Sequence, residues 1–170
     1  MKTIYFTRHG LTVMNKQGLR CGSTESPLTD EGRQQAEDAG QKAKNLQIDL
    51  IVCSNMERAV ETAEIIAKQI GYDPDKIHRT SLLRERNFGV LEAAPYVADQ
   101  DMDGVEGMEP EQDLRSRVTE AVALVNSLPG QNILMVAHGA SGRMLRHVIN
   151  PNIPFAGASH FSNADIVQLQ

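Results

Sequence analysis

Two segments of this 170-residue chain place a histidine just beyond a short strand-like run. Arg8-His9-Gly10 follows residues 3–7, and His138-Gly139 follows residues 133–137. A neutral imidazole can act as a nucleophile, a proton carrier or a hydrogen-bond donor to an anion. Arg8 adjoins the first segment, and Arg58 falls in the opening turn of a predicted helix. Planar, permanently charged guanidinium groups at these positions suit the oxygens of a phosphate ester. Helix N-termini add free N–H groups and the positive end of the helix dipole. Gly139 and Ala140, opening a helix after His138, would add such groups to the cradle. One histidine nitrogen would then attack phosphorus to form a phosphohistidine, and the second histidine would stabilise the transferring group. The leaving oxygen needs a proton, for which Glu85, after Ser81-Leu82-Leu83-Arg84, is the candidate donor. Arginines and histidines supply the positive charge, so no metal or other cofactor is expected. Each residue also has an ordinary reading. A single His-Gly turn is usually structural, a helical arginine is usually solvated, and a lone glutamate is usually a surface charge. His78, His147 and His160 keep such readings.

For these groups to meet, the elements between them must end at one edge of a scaffold. Residues 3–7, 50–53 and 133–137 read as buried strands, and 165–169 as a final alternating strand. Residues 31–46 read as a helix whose inward stripe of Ala36, Ala39, Gly40, Ala43 and Leu46 is small enough to pack closely on a sheet. Residues 56–70, closed by Gly71, and 110–128, with a proline in the first turn, read as two more helices. Residues 139–149 read as the last. Strands alternating with helices predict an α/β fold: a three-layer sandwich, its mostly parallel central sheet flanked by helices on both faces. Ligands of such sheets sit beyond the carboxyl ends of strands, where both His-Gly segments fall. A chain of this length is expected to form a single domain over 1–170.

Composition narrows the classes. Hydrophobic residues make up 41% and charged residues 23%, ordinary for a globular protein and unlike disordered or coiled-coil chains. The net charge of −5 argues against a nucleic-acid coat. Cys21 and Cys53 cannot build a disulfide framework, and no C-x-x-C spacing suggests zinc. No apolar stretch approaches the ~20 residues of a membrane span, and the N-terminal apolar run is too short for a signal-peptide core. A cytoplasmic protein with neither a nucleic-acid nor a membrane partner is expected. The acidity is local. Residues 93–113 carry seven carboxylates and no Lys or Arg, and without them 15 acids face 17 bases. This segment, with Pro95, Gly104 and Gly107, reads as a short acidic surface loop or lid.

The ordered motifs resemble those of the histidine phosphatase superfamily, the phosphoglycerate-mutase-like group. Thr7-Arg8-His9-Gly10 and Val136-Ala137-His138-Gly139 carry the resemblance. Asn15, residues 27–32, Gln35-Ala36, the stretch from Ser54 through Arg58-Ala59 to Thr62-Ala63, Leu83-Arg84-Glu85 with Phe88-Gly89, and Asn163-Ala164 extend it over nearly the whole chain. The resemblance implies His9 as the phosphorylated nucleophile. Arg8, Arg58 and His138 would complete a phosphate pocket, Glu85 would donate the proton, and Asn15 would contact the phosphate. Cys21-Gly22 stand where the mutases carry a substrate-touching Thr-Gly pair; Cys21 departs from it and reads as a small neutral pocket wall.

A mutase must exclude water and grip a bisphosphate, which calls for basic groups over the pocket. The family's mutases place these in a long insertion after the acid segment, whereas residues 93–113 here are short and acidic, and Glu92-Ala93-Ala94-Pro95 departs from the usual Glu-Gly ending. The expectation is therefore a metal-independent phosphatase of phosphate monoesters, with phosphoglycerate-mutase-type transfer as the alternative. Its substrate would be a small-molecule phosphate ester or a phosphorylated protein side chain, with monophosphates preferred over polyanions. A third reading makes residues 99–111 a calcium- or partner-binding loop, since Asp99-Gln100-Asp101-Met102-Asp103-Gly104 matches the start of an EF-hand loop. Its twelfth position, which should be a bidentate Glu, is Pro110.

Overall fold

A computed structural model describes residues 2–98, 100–157 and 159–170. Its strands are β1 (Thr3–Arg8), β2 (Leu50–Ser54), β3 (His78–Thr80), β4 (Asn132–Ala137) and β5 (Ile166–Gln168). Its helices are α1 (Val13–Lys16), α2 (Asp30–Ala43), α3 (Glu57–Ile70), α4 (Glu111–Ser127) and α5 (Gly139–Ile149). The sheet order is β3-β2-β4-β1-β5. Every pairing is parallel except that of β1 with β5, which is antiparallel. This is the expected mostly parallel α/β sandwich.

Strands in the middle of such a sheet are covered on both faces and read as continuous apolar runs; all five residues of β2 are buried. Ile4, Phe6, Leu50, Val52, Ile133 and Met135 pack with α4 and α5 through Leu114, Val118, Met144 and Leu145. The alternate residues Ile51, Cys53, Leu134 and Val136 pack with α2 and α3 through Ala39, Ala59, Ala63 and Ile66. The period-2 alternation thus divides each central strand between two helical layers.

Helix ends follow their chemistry. Thr29 caps α2 by accepting from Gly32 N–H at 2.9 Å. The helix is α-helical to Ala43 and then tightens into a 3-10 turn over Lys44–Leu46, so the predicted end at 46 is the end of that turn. The small stripe of α2 also serves a helix–helix approach: a Cβ on Gly40 would lie 2.5 Å from Gln69 Cβ of α3. Gly71 ends α3 in a left-handed conformation (φ 72°). Pro110 is the cap before α4 rather than its first residue. The sequence reading omits α1 and β3, which are too short to show a period.

The acidic segment has no helix or strand among its described residues before α4, and residues 18–20 hold its first half. Tyr96 N–H donates to Gly18 O at 2.7 Å, Arg20 N–H to Ala94 O at 2.9 Å and Ala93 N–H to Arg20 O at 2.8 Å. The buried Arg20 guanidinium donates to Gln100 at 2.9 Å and lies over the Phe88 and Tyr96 rings. Asp99, which opens the calcium-like run, lies outside the described residues.

Candidate active site

The two histidines come side by side because their strands do. Arg8 of β1 pairs with Ala137 of β4, so His9 and His138 leave the sheet together at its carboxyl edge. Their ring centroids are 5.2 Å apart, and both side chains are buried.

His9 Nδ1 lies 2.7 Å from Gly10 O. A carbonyl only accepts, so Nδ1 carries the proton and Nε2 keeps its lone pair. The surrounding turn is held from two sides, by Thr62 of α3 and by Asn163. Gly10 N–H donates to Thr62 Oγ1 at 3.1 Å, Thr62 in turn donates to Arg58 O at 2.7 Å, and Asn163 Nδ2 donates to His9 O at 2.8 Å. A Cβ on Gly10 would sit 2.3 Å from Gly32 O, so this turn requires glycine. Burial pushes His9 well below the ordinary imidazole range; the charges of Arg8 and Arg58 push the same way, against the Gly10 carbonyl. His138 Nε2 lies 2.8 Å from Ser54 Oγ at the end of β2. Burial, and then the charges of Arg58 and Arg8, also lower His138 well below its usual range. Both rings are therefore neutral near pH 7.

Arg58 is only 1% exposed, so the solvated reading of this helical arginine does not hold. Its guanidinium donates to Gly22 O at 2.6 Å and Thr24 O at 2.8 Å, with Glu25 at 3.5 Å. Arg8 reaches Asn15 Oδ1 at 3.5 Å and Phe161 O at 3.4 Å. Burial lowers both guanidinium pKa values, opposed in part by Glu85, and an arginine remains charged regardless. Arg8 Nε, Arg58 Nε and His138 Nδ1 are buried without a partner among the described residues. Native interiors rarely leave such groups unpaired, and here three belong to the same cluster.

The remaining expected residues occupy the rim. Asn15 Nδ2 donates to Cys21 Sγ at 3.4 Å, and Thr12 Oγ1 lies 3.5 Å from the same sulfur. Gly22 offers its carbonyl to Arg58.

The N-terminus of α5 corrects an expectation. The Glu85 carboxylate accepts from Ala140 N–H at 3.0 Å, Ser141 N–H at 3.0 Å and Arg86 N–H at 2.9 Å. A helix N-terminus favours any carboxylate within reach. The Ala140 amide expected to cradle substrate phosphate therefore holds Glu85 instead. Gly139 borders the place where charges converge: its Cβ direction ends 3.5 Å from Glu85 Oε2, 3.9 Å from Arg8 Nε and 4.0 Å from Arg143 Nη1.

The structure adds residues with no assigned role in the sequence reading: Ser54, Thr62, Asn163, Arg143 and Glu92. Glu92, noted there only as a departure, accepts from Ser23 N–H and Ser23 Oγ, both at 2.7 Å, from Thr24 Oγ1 at 2.6 Å and from Phe88 N–H at 3.1 Å. Burial would raise its pKa, but these hydrogen bonds outweigh it and hold the carboxyl below its usual range. No local pattern links a glutamate to a serine 69 residues earlier.

Among the described residues, no group of three His, Cys, Asp or Glu could hold a metal ion. Asp101 Oδ1 instead accepts from Asp103 N–H at 3.0 Å. Among the same residues no helix is long and apolar enough to cross a membrane.

A family model described as the histidine phosphatase superfamily (branch 1) matches residues 4–170. The chain is 37% identical over 154 residues to a probable phosphoglycerate mutase, GpmB, of Salmonella choleraesuis; the match covers 82% of this chain and 70% of that protein. A mycobacterial glucosyl-3-phosphoglycerate phosphatase solved with VO3 superposes with a TM-score of 0.85 at 25% identity, over 99% of this chain and 92% of that one. A phosphoglycerate mutase from Bacillus anthracis shares the fold, with a TM-score of 0.82 at 22% identity, over 98% and 86% of the two chains.

Proposed function

Since the chain belongs to the histidine phosphatase superfamily, we propose that it is a metal-independent phosphatase of phosphate monoesters, working through a phosphohistidine on His9. The observation that carries this is the His9 tautomer. Gly10 O holds the proton on Nδ1, and burial with two arginine charges keeps the ring neutral, so Nε2 has a lone pair for phosphorus. In the first step Nε2 bonds to phosphorus and the ester P–O bond breaks. The leaving oxygen takes the proton of Glu85 in its carboxylic acid form, and Glu85 becomes the carboxylate that the α5 amides hold. In the second step water attacks the phosphohistidine, the P–N bond breaks, and Glu85 takes up the water proton. Arg8, Arg58 and His138, whose Nε and Nδ1 atoms have no partner among the described residues, hold the phosphoryl oxygens and stabilise their charge. Asn15 supports this pocket through Arg8, Cys21 and Gly22 line its edge, and Gly139 borders it. The substrate is a small phosphate ester or a phosphorylated protein side chain, and the cationic charge comes from the arginines.

A second reading is phosphoglycerate-mutase-type transfer. It is favoured by the likeness to a probable phosphoglycerate mutase and by Arg143, a basic group beside Gly139. The short acidic segment favours hydrolysis, since it puts no Lys or Arg over the pocket. One experiment separates the two: incubate the enzyme with 3-phosphoglycerate and with a panel of monoesters, chelator present. Phosphate release, a mass increase of one phosphoryl group on a quenched sample, and loss of both in His9→Ala are expected. Interconversion of 3- and 2-phosphoglycerate with negligible phosphate release would establish the mutase instead.

A further inference from the structure

We infer that Arg117 is a positioning residue for the proton donor, setting the Glu85 carboxylate by fixing the backbone that carries it. This rests on the reading of Glu85 as the donor. Arg117 lies on α4, 32 residues beyond Glu85, and its side chain is 19% exposed. A guanidinium has five N–H donors in one rigid plane, and here all five are engaged. Nε donates to Glu109 Oε1 at 2.6 Å and Nη2 to Glu109 Oε2 at 2.8 Å, a bidentate pair. Nη1 donates to Leu82 O at 2.9 Å and to Arg84 O at 2.7 Å, and Nη2 to Glu85 O at 3.3 Å.

Ser81–Leu83 is a single 3-10 turn, and a turn this short leaves its final carbonyls without helical partners. Arg117 takes up Leu82 O in that turn and Arg84 O and Glu85 O in the segment that leaves it, and so fixes the direction of the chain at Glu85. Glu109 completes the brace: its carbonyl accepts from Arg86 Nε at 2.9 Å, and its N–H donates to Asn87 O at 2.8 Å. Residues 82–87 are thus tied to α4 and to the residue just before its cap. From the other side, the amides of α5 hold the Glu85 carboxylate. The donor is pinned at both ends, by its backbone from α4 and by its side chain from α5. Without Arg117 the carbonyls of Leu82, Arg84 and Glu85 lose their hydrogen bonds to α4, and the bonds of Glu109 to Arg86 and Asn87 remain beside those of the α5 amides. Lysine cannot substitute, because its three tetrahedral donors cannot serve three carbonyls and a bidentate carboxylate at once.

A positioning residue should affect the proton-transfer step and spare phosphate binding. General-acid catalysis typically contributes 10²–10⁴-fold, and a misplacement of about 1 Å costs on the order of 100-fold. The test compares 4-nitrophenyl phosphate, whose leaving group needs little protonation, with an alkyl monophosphate, whose leaving group needs a full proton. In Arg117→Met, kcat for the alkyl ester should fall roughly 100-fold and for the nitrophenyl ester less than about fivefold, with both KM values unchanged. Arg117→Lys keeps a cation facing Glu109 and should shift the kcat ratio in the same direction; it serves if the methionine variant fails to fold. Adding Arg117→Met to Glu85→Gln should change the ratio no further, because both act on one step. If Glu85→Gln shifts the ratio and neither Arg117 variant does, or if the variants slow both esters equally, the inference is wrong. If Glu85→Gln itself leaves the ratio at the wild-type value, the donor assignment fails and this inference fails with it.

Discussion

Replacing Glu92 with alanine removes one carboxylate that gathers four hydrogen bonds from three residues. Ser23 N–H, Ser23 Oγ and Thr24 Oγ1 approach it within 2.7 Å, and Phe88 N–H at 3.1 Å. Hydrogen bonds to a charged group contribute about 1.5–3 kcal/mol each. The site is half-buried, so water would replace part of them, and bonds sharing one acceptor do not add. A net loss of about 3 kcal/mol follows. At about 2–4 °C per kcal/mol for a chain of this size, the melting temperature should drop by roughly 6–12 °C. The carboxyl is held below its usual pKa in the fold, so the stabilisation is complete above the unfolded value of about 4.3. It is lost as pH falls through the lower folded value, so the gap between wild type and variant should narrow in that acid range. The loss should also reach the phosphate pocket, because the turn that Glu92 holds presents Gly22 O and Thr24 O to Arg58. With Arg58 loosened, kcat/KM should fall by a similar factor for esters of good and of poor leaving groups, a pattern opposite to that of an Arg117 variant. Calorimetry at pH 7.5 and near pH 4, with kinetics on two esters, measures all of this. A melting temperature within 2 °C of wild type at pH 7.5 would refute the reasoning.

Three further outcomes follow from the histidines and the glycine turn. Burial and two arginines lower the pKa of His9, so Nε2 should remain unprotonated and phosphoenzyme should still form as pH falls through about 6.5; rapid-quench trapping at pH 7.5 and 5.5 checks this. Stability should do the opposite. The unfolded histidines gain protons below about 6.5 while the folded ones do not, so stability is full above that pH and declines below it, and His9→Gln should flatten the decline in urea midpoints. Gly10→Ala forces a Cβ to within 2.3 Å of Gly32 O, a backbone atom that cannot rotate away. Overpacking of this kind costs about 1–3 kcal/mol, and because the strain falls on the residue after His9, activity should drop further than the thermal shift alone implies.

The helices over residues 57–70 and 139–149 and the strands over 50–54 and 132–137 were legible because their apolar periods and closing residues lie in consecutive positions. The pairing of His9 with His138 was nearly so. Each follows a buried strand, and parallel strands in one sheet deliver their next residues to one edge. Arg58 was legible as a candidate but not as a buried residue, since its burial depends on carbonyls at Gly22 and Thr24 that a distant glutamate holds in place.

The sequence alone determined which groups stand at strand and helix ends, because those positions follow from local spacing. Tertiary structure alone decided which partner each charge meets. The amides of α5 took Glu85 from 55 residues earlier in place of an anionic ligand, Arg117 closed on carbonyls 32–35 residues behind it, and the acidic segment was strapped to Arg20 over a separation of 80 residues. Spacing carries no record of such pairs. Until the chain closes, a glutamate or arginine bound for the interior has the same chemistry as one bound for solvent, and only burial with a specific partner separates them.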